Sequence, residues 1–149
     1  MTTQNPNISL KGKVAFVSGA SKGIGVSIAE LFAAAGCDLA LTARNEQELE
    51  QTAENARKSG VKVWTKTAEM ADADEVKAVG NAALAEFGHI DILVNNAGVT
   101  IPQPILETTL DNFHTIINVN VLAPFLLTQI FAPSMIAKKK GKIVNVTSR

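Results

Sequence analysis

An α/β fold on a parallel sheet is the prediction, and three features of the 149-residue sequence make it. Short apolar runs alternate with longer segments in which apolar residues recur on a helical period. Glycine, asparagine and aspartate punctuate the junctions, where turns and helix caps favour them. Helical segments between the strands require right-handed βαβ crossovers, which cover both faces of a parallel sheet and give three layers. With 46% apolar residues, the chain has the length of one domain and the means to bury its core.

The elements follow in order. Residues 1–10 read as a polar leader and residues 11–149 as a single domain. Lys13–Ser18 is the first strand. A helix over Gly23–Ala35 follows, with Ile24, Ile28, Leu31, Phe32 and Ala35 on its period and Gly36 as its stop. Asp38–Thr42 is the second strand. Asn45 caps a polar helix over Glu46–Ser59, which Gly60 ends. Val61–Thr65 is the third strand, with Trp64 as a packing residue. Asp72 or Asp74 caps the next helix, whose apolar face is Val76, Val79, Ala83 and Phe87, before Gly88. Ile90–Val94 is the fourth strand. A loop with Pro102 and Pro104 leads to one long helix, Leu110–Lys139, and Lys142–Val146 is the fifth strand. The run Lys138-Lys139-Lys140 falls where cations favour the negative end of a helix dipole.

Bulk properties exclude several functions. The net charge is zero, 14 basic against 14 acidic residues, and the charges are interspersed. Neither a nucleic-acid footprint nor a membrane-surface patch is expected from that pattern. No signal peptide precedes the first strand, and no apolar run reads as long enough to span a bilayer. The single cysteine, Cys37, excludes an internal disulfide framework and reads as a small buried hydrophobe in a reducing compartment, so a cytoplasmic location is expected. His89 and His114 lack companions at ligand spacing, so no metal site is expected.

Chemistry collects at one edge. Ligands of such a sheet bind beyond the carboxyl ends of its strands. The first strand runs into Ser18-Gly19-Ala20-Ser21-Lys22-Gly23-Ile24-Gly25, the second into Arg44 and the third into Glu69-Met70. The fourth leads to Asn95-Asn96-Ala97-Gly98 and the fifth to Thr147-Ser148. A glycine turn opening a helix lets the backbone approach a phosphate, which the helix N-terminus favours. Taken singly, each stretch also reads as ordinary turn chemistry. One ligand crossing the top of the sheet accounts for all of them together.

Gly19-x-x-x-Gly23-Ile24-Gly25 with Asn95-Asn96-Ala97-Gly98 resembles the short-chain dehydrogenase/reductase family. Asp91-Ile92-Leu93-Val94, Ile117-Asn118-Val119-Asn120 and Gly141–Ser148 carry the resemblance along the chain from Leu10 onward. It implies a Rossmann-type doubly wound sheet of strand order 3-2-1-4-5, a nicotinamide dinucleotide as cofactor, and interconversion of a small-molecule carbonyl and a secondary alcohol. By the same resemblance, Gly19, Ser21, Lys22, Ile24 and Gly25 surround the adenosine and diphosphate. Glu69 and Met70 line the adenine, with Glu69 where the family usually has Asp. Asn96, Ala97 and Gly98 lie beside the ribose and nicotinamide, and Asn95 ties neighbouring strands together. Ser18 keeps the hydroxyl of the family's usual Thr. Ser148 matches the catalytic serine, and Asn120 the asparagine that holds a water in the proton relay.

Charge selects the cofactor. An NAD site usually has a carboxylate at the end of the second strand. Here that position reads Thr42-Ala43-Arg44, and Lys22 stands in the glycine turn. A guanidinium and an ammonium facing one site suit a 2′-phosphate, so NADP(H) is favoured over NAD(H). The competing reading makes both ordinary surface cations. Glu46 and Glu48, on the following helix, are expected to face away.

Asn120 also has a reading independent of the family. Helical spacing from Phe113, Ile116 and Ile117 puts it on an inward apolar stripe. Pro124, four residues on, has no N–H to give the Asn120 carbonyl, so the helix is expected to bend there. A relay asparagine fits that arrangement, as does a kink filled by buried water.

One component is missing. The family's acid/base is a tyrosine in a Tyr-x-x-x-Lys motif beyond the serine, and these 149 residues contain no tyrosine. The resemblance therefore implies the amino-terminal portion of an oxidoreductase, its carboxy-terminal part missing, inactive alone. Its long helix, rich in apolar residues from Phe125 to Ile136, is the expected dimer or tetramer surface of the full-length enzyme. Two alternatives stand: a truncated, non-catalytic isoform acting as a cofactor-binding or dominant-negative partner, and a family member devoted to another nucleotide.

Overall fold

The computed structural model describes residues 8–147. Most of the polar leader lies outside them, as does Ser148.

Five parallel strands form one sheet: β1 Val14–Ser18, β2 Asp38–Ala43, β3 Val63–Thr67, β4 Ile92–Asn95 and β5 Lys142–Asn145, in the order β3-β2-β1-β4-β5. Between them run α1 Gly23–Ala34, α2 Glu46–Arg57, α3 Ala73–Phe87, α4 Leu110–Ile117 and α5 Ala123–Ala137. The expected strand order and doubly wound α/β class are both present.

Alternation along β1 divides the core into two. Ala15 and Val17 point to the α1 and α2 side, where they meet Leu39, Leu41 and Ala53. Val14 and Phe16 point to the α3 and α5 side, where Phe16 packs on Phe131 with ring centroids 5.1 Å apart. The strand period of two feeds both layers from a single run of apolar residues. Leu10, at the end of the leader, donates its N–H to the Ala35 carbonyl and packs against the α1 side. Cys37 is buried, and desolvation pushes its thiol up to about 12, as a buried hydrophobe requires.

Capping follows side-chain chemistry. Asn45 Oδ1 accepts the Glu48 N–H, and Thr109 Oγ1 accepts the Asn112 N–H. Asp72 Oδ1, rather than Asp74, accepts from Asp74 and Glu75, which settles the choice between the two. Lys139 takes a left-handed φ of 51° just beyond α5, a position that usually favours glycine.

Five expectations are corrected here or at the site. The third strand spans Val63–Thr67 rather than Val61–Thr65: its ladder with β2 opens at the Leu39–Val63 pair, where the Leu39 N–H donates to the Lys62 carbonyl but no β2 main-chain group accepts the Lys62 N–H. The Lys62 N–H is taken by the Asp38 side chain instead. The long helix is interrupted by a π-helical turn, Asn118–Leu122, in which the Ala123 N–H reaches the Asn118 carbonyl. That turn widens the backbone ladder just ahead of Pro124, which has no N–H to offer it. The change of phase also moves the buried stripe. Val119, Ala123, Leu126, Leu127, Phe131 and Met135 are buried, whereas Phe113 and Ile117 are exposed.

The third correction concerns length. Among the described residues one continuous helical stretch, Leu110–Ala137, is long and apolar enough to cross a membrane by length and composition. Its buried stripe packs on the sheet and on α3, the arrangement of a helix built into an α/β layer. Phe113, Ile117, Val121 and Phe125 form an exposed apolar row at four-residue spacing on its outer side.

Candidate functional site

The loops that follow β1, β2, β3 and β4 contribute to one cleft of about 810 Å³. Gly19, Ser21, Lys22 and Ile24 form one wall between β1 and α1. Arg44 enters from the end of β2, and Glu69 and Met70 from the end of β3. Asn96, Ala97 and Gly98 close the far side after β4. The structure thus brings together all but one of the residues expected to hold a cofactor. The exception is Gly25, which is buried beneath the wall and lets α1 pack against the glycine turn. A Cβ on Gly25 would sit 2.1 Å from the Gly19 carbonyl oxygen.

The two principal turns are tied by hydrogen bonds. Asn96 Nδ2 donates to the carbonyls of Ser18 at 3.1 Å and Gly19 at 3.0 Å. Ser18 Oγ accepts the N–H groups of Asn96 at 3.1 Å and Ala97 at 3.0 Å. Ser18 is 2% exposed, so no bulk water replaces that acceptor. Ser18→Ala is expected to destabilise the fold by about 2 kcal/mol, because two N–H groups lose their partner. Ser18→Thr restores most of it, and chemical denaturation of the three proteins checks both expectations. On the β5 side, Asn95 Nδ2 donates to Asn145 Oδ1 at 2.9 Å, tying β4 to β5 as the sequence leads one to expect.

The start of α1 differs from the other helix starts described above. Its N-cap is Lys22, whose side chain has donors but no acceptor, and no acidic residue occupies its first turn. Asn45, Asp72 and Thr109 each satisfy N–H groups at their own helices. The α1 N-terminus therefore keeps its donors and its positive dipole end for an anion in the cleft.

Electrostatics bring the fourth correction. Lys22 and Arg44 both line the cleft, but each meets a carboxylate: Lys22 Nζ lies 2.9 Å from Glu48 Oε1, and Arg44 Nη1 lies 3.7 Å from Glu69 Oε2. Glu48 faces the cleft instead of away from it. The reason is positional, since the first turn of α2 begins directly after Arg44 and lies beside the glycine turn. Glu69 is held from its other oxygen, where Oε1 accepts the Ala71 N–H at 3.0 Å.

Asn120 is likewise not where the stripe put it. It is exposed at the mouth of the cleft, and its carboxamide clamps Val99 by donating to the Val99 carbonyl at 2.8 Å and accepting the Val99 N–H at 3.0 Å. Asn118, two residues earlier, donates to the Ala71 carbonyl at 3.0 Å. The π turn thereby fastens two loops that line the cleft. Sequence reasoning missed Asn118, Val99, Thr115 and the inward turn of Glu48. Only the Asn118-x-Asn120 pair left a signal, two carboxamides in the otherwise apolar stretch Ile116–Leu127. Ser148 lies outside the described residues.

Comparison with known proteins agrees with this architecture. The short chain dehydrogenase family profile matches residues 13–149. The mouse protein "Dehydrogenase/reductase SDR family member 7" is 39% identical over 149 residues, 97% of this chain and 44% of the relative. The 2-dehydro-3-deoxy-D-gluconate 5-dehydrogenase of Escherichia coli is 38% identical over 94% of this chain and 55% of its own. Among solved structures, a metagenomic short-chain oxidoreductase in complex with NADP superposes with a TM-score of 0.90 at 37% identity, covering 94% of this chain and 63% of that one. A metagenomic blue fluorescent protein in complex with NADPH gives 0.87 at 36% identity, covering 94% and 57%. The chain spans about half the length of the curated relatives it matches. With the sheet order, the glycine turn and the Asn-Asn-Ala-Gly turn all in place, the chain belongs to the short-chain dehydrogenase/reductase family of oxidoreductases.

Proposed function

We propose that this chain is the cofactor-binding portion of an NADP(H)-dependent oxidoreductase that interconverts a carbonyl and a secondary alcohol. The observation that carries the proposal is the cleft itself: an uncapped helix N-terminus and two cations face one space at the carboxyl edge of the sheet. Its volume of about 810 Å³ lies within the range usual for ligand and cofactor sites. The residues fit the group. The α1 N–H donors suit a diphosphate, Lys22 and Arg44 suit a 2′-phosphate, and Met70 offers an apolar surface to an adenine. That two structural neighbours hold NADP or NADPH supports the same choice.

When bound, the nicotinamide supplies or accepts a hydride. The chain's own residues do the positioning. Asn96 fixes the glycine turn, Asn120 holds Val99 at the cleft mouth, and Ser148 hydrogen-bonds the substrate oxygen. In this reading Asn120 also holds a water of the proton relay. With no tyrosine among its 149 residues, the chain alone turns nothing over, which an NADPH-oxidation assay with carbonyl compounds reads directly. In the complete cytoplasmic enzyme, the exposed row from Phe113 to Phe125 packs against another subunit.

The test is a double substitution. Replacing Lys22 and Arg44 together by Ala is expected to weaken NADP⁺ binding at least about tenfold while NAD⁺ binding changes little. Titration followed by NMR chemical shifts reads both affinities. Equal losses for the two dinucleotides would defeat the NADP(H) reading.

A further inference from the structure

Among the described residues, Glu48 is the one charged residue of the cleft wall that neither the fold nor the cofactor reading uses. It occupies the third position of α2 after the cap Asn45, where a glutamate commonly turns back to the N–H of the cap residue. Only half of that reciprocal arrangement forms. Asn45 Oδ1 accepts the Glu48 N–H at 3.1 Å, while the Glu48 carboxylate crosses to Lys22 Nζ at 2.9 Å.

The consequence for an anion is direct. Lys22, Arg44, Glu48 and Glu69 together carry no net charge at neutral pH, although all four line the cleft. The two ion pairs differ in closeness. Glu69 is anchored on the Ala71 N–H and stands 3.7 Å from Arg44, beyond hydrogen-bond reach. Glu48 holds Lys22 within it. A phosphate monoester brings roughly 1.5 to 2 negative charges, so it must take Lys22 from Glu48 and then tolerate that carboxylate nearby. A ribose hydroxyl brings no charge and leaves the pair closed.

Resting on the dinucleotide reading above, we infer that Glu48 is a cofactor-specificity residue. Through its pair with Lys22 it opposes the 2′-phosphate, and so holds the preference for NADP(H) below the level that Lys22 and Arg44 alone would set. The pair is exposed on the lysine side, with Lys22 76% accessible, so it yields to a ligand without unfolding anything.

The experiment titrates the 149-residue chain with NADP⁺ and, separately, NAD⁺, following NMR chemical shifts so that millimolar dissociation constants are measurable. Glu48→Gln keeps the size and helix position and removes the charge. It is expected to tighten NADP⁺ about fivefold and to move NAD⁺ by less than about twofold. Glu46→Gln removes an exposed charge from the same helix turn and controls for the dipole; it is expected to change neither. Adding Lys22→Ala to Glu48→Gln is expected to abolish the gain. A wild-type preference for NADP⁺ that Glu48→Gln leaves unchanged would overturn the inference and spare the cofactor reading. A gain for NADP⁺ in Glu48→Gln, with no preference in the wild type, would uphold the inference and overturn that reading. Equal gains for both dinucleotides, or no binding of either by any variant, would overturn the inference.

Discussion

Gly25→Ala is expected to destabilise the fold by about 3 kcal/mol and to abolish measurable dinucleotide binding. The added Cβ would lie 2.1 Å from the Gly19 carbonyl oxygen and 2.7 Å from Asn96 Nδ2. Both neighbours are fixed. The Gly19 oxygen is backbone in a turn with φ of 67°, and Asn96 Nδ2 is committed to two carbonyls. Relief requires α1 to move away from the turn, which takes the helix N-terminus out of register with the cleft wall. Gly80→Ala is the contrasting case. Its Cβ would meet Ile130 Cδ1 at 2.9 Å, the end of a side chain that can turn, and alanine gains about 1 kcal/mol of helix propensity over glycine. That variant is expected to lie close to the wild type in stability and to bind unchanged. Thermal melts and NMR titrations of the two variants provide the check. Normal binding by Gly25→Ala would mean that helix and turn are less tightly coupled than the packing indicates.

The difference between these two glycines marks how far sequence carries. Gly25 is legible as part of a spaced motif, because spacing records a backbone requirement that is local in sequence. Sheet order was legible for a similar reason, through the family pattern and the regular alternation of strands and helices. Strand ends were less so. Whether β3 begins at Val61 or Val63 depends on what Asp38 and Leu39 offer from another strand, and no local pattern encodes that. The long helix shows the same limit at the site. A fixed 3.6-residue period placed Asn120 beside Phe113 and Ile117 on a buried stripe. The π turn shifts the phase between α4 and α5, so those apolar residues face outward and Asn120 reaches Val99. Pro124 signalled a disturbance but not its hand. Glu48 is the clearest miss, since sequence gives its place in the first turn of α2 and leaves open which neighbour its carboxylate selects.

Asp91→Ala is expected to cost about 3 kcal/mol while leaving the dinucleotide affinity of the folded protein unchanged. Asp91 stands at the amino edge of the sheet, across its full depth from the cleft, and is only 9% exposed. Its main chain joins two neighbours, with its N–H donating to the Val14 carbonyl and its carbonyl accepting the Lys142 N–H. Its carboxylate accepts the Val14 N–H at 3.0 Å and lies 3.9 Å from Lys13 Nζ and 3.2 Å from His89 Nε2. Truncation leaves a buried N–H without an acceptor and two basic side chains without their shared carboxylate. Both of those side chains are about one-third exposed, so water recovers part of the loss and the cost stays at the lower end for a broken buried pair. Asp91→Asn keeps an acceptor for Val14 and is expected to lose about half as much. Denaturant unfolding gives the stabilities, and titration well below the midpoint gives the affinities. Reduced affinity in folded Asp91→Ala would show that the two edges of the sheet are mechanically coupled. Unchanged affinity, set beside the loss in Gly25→Ala, would separate the residues that hold the sheet together from those that shape its cleft.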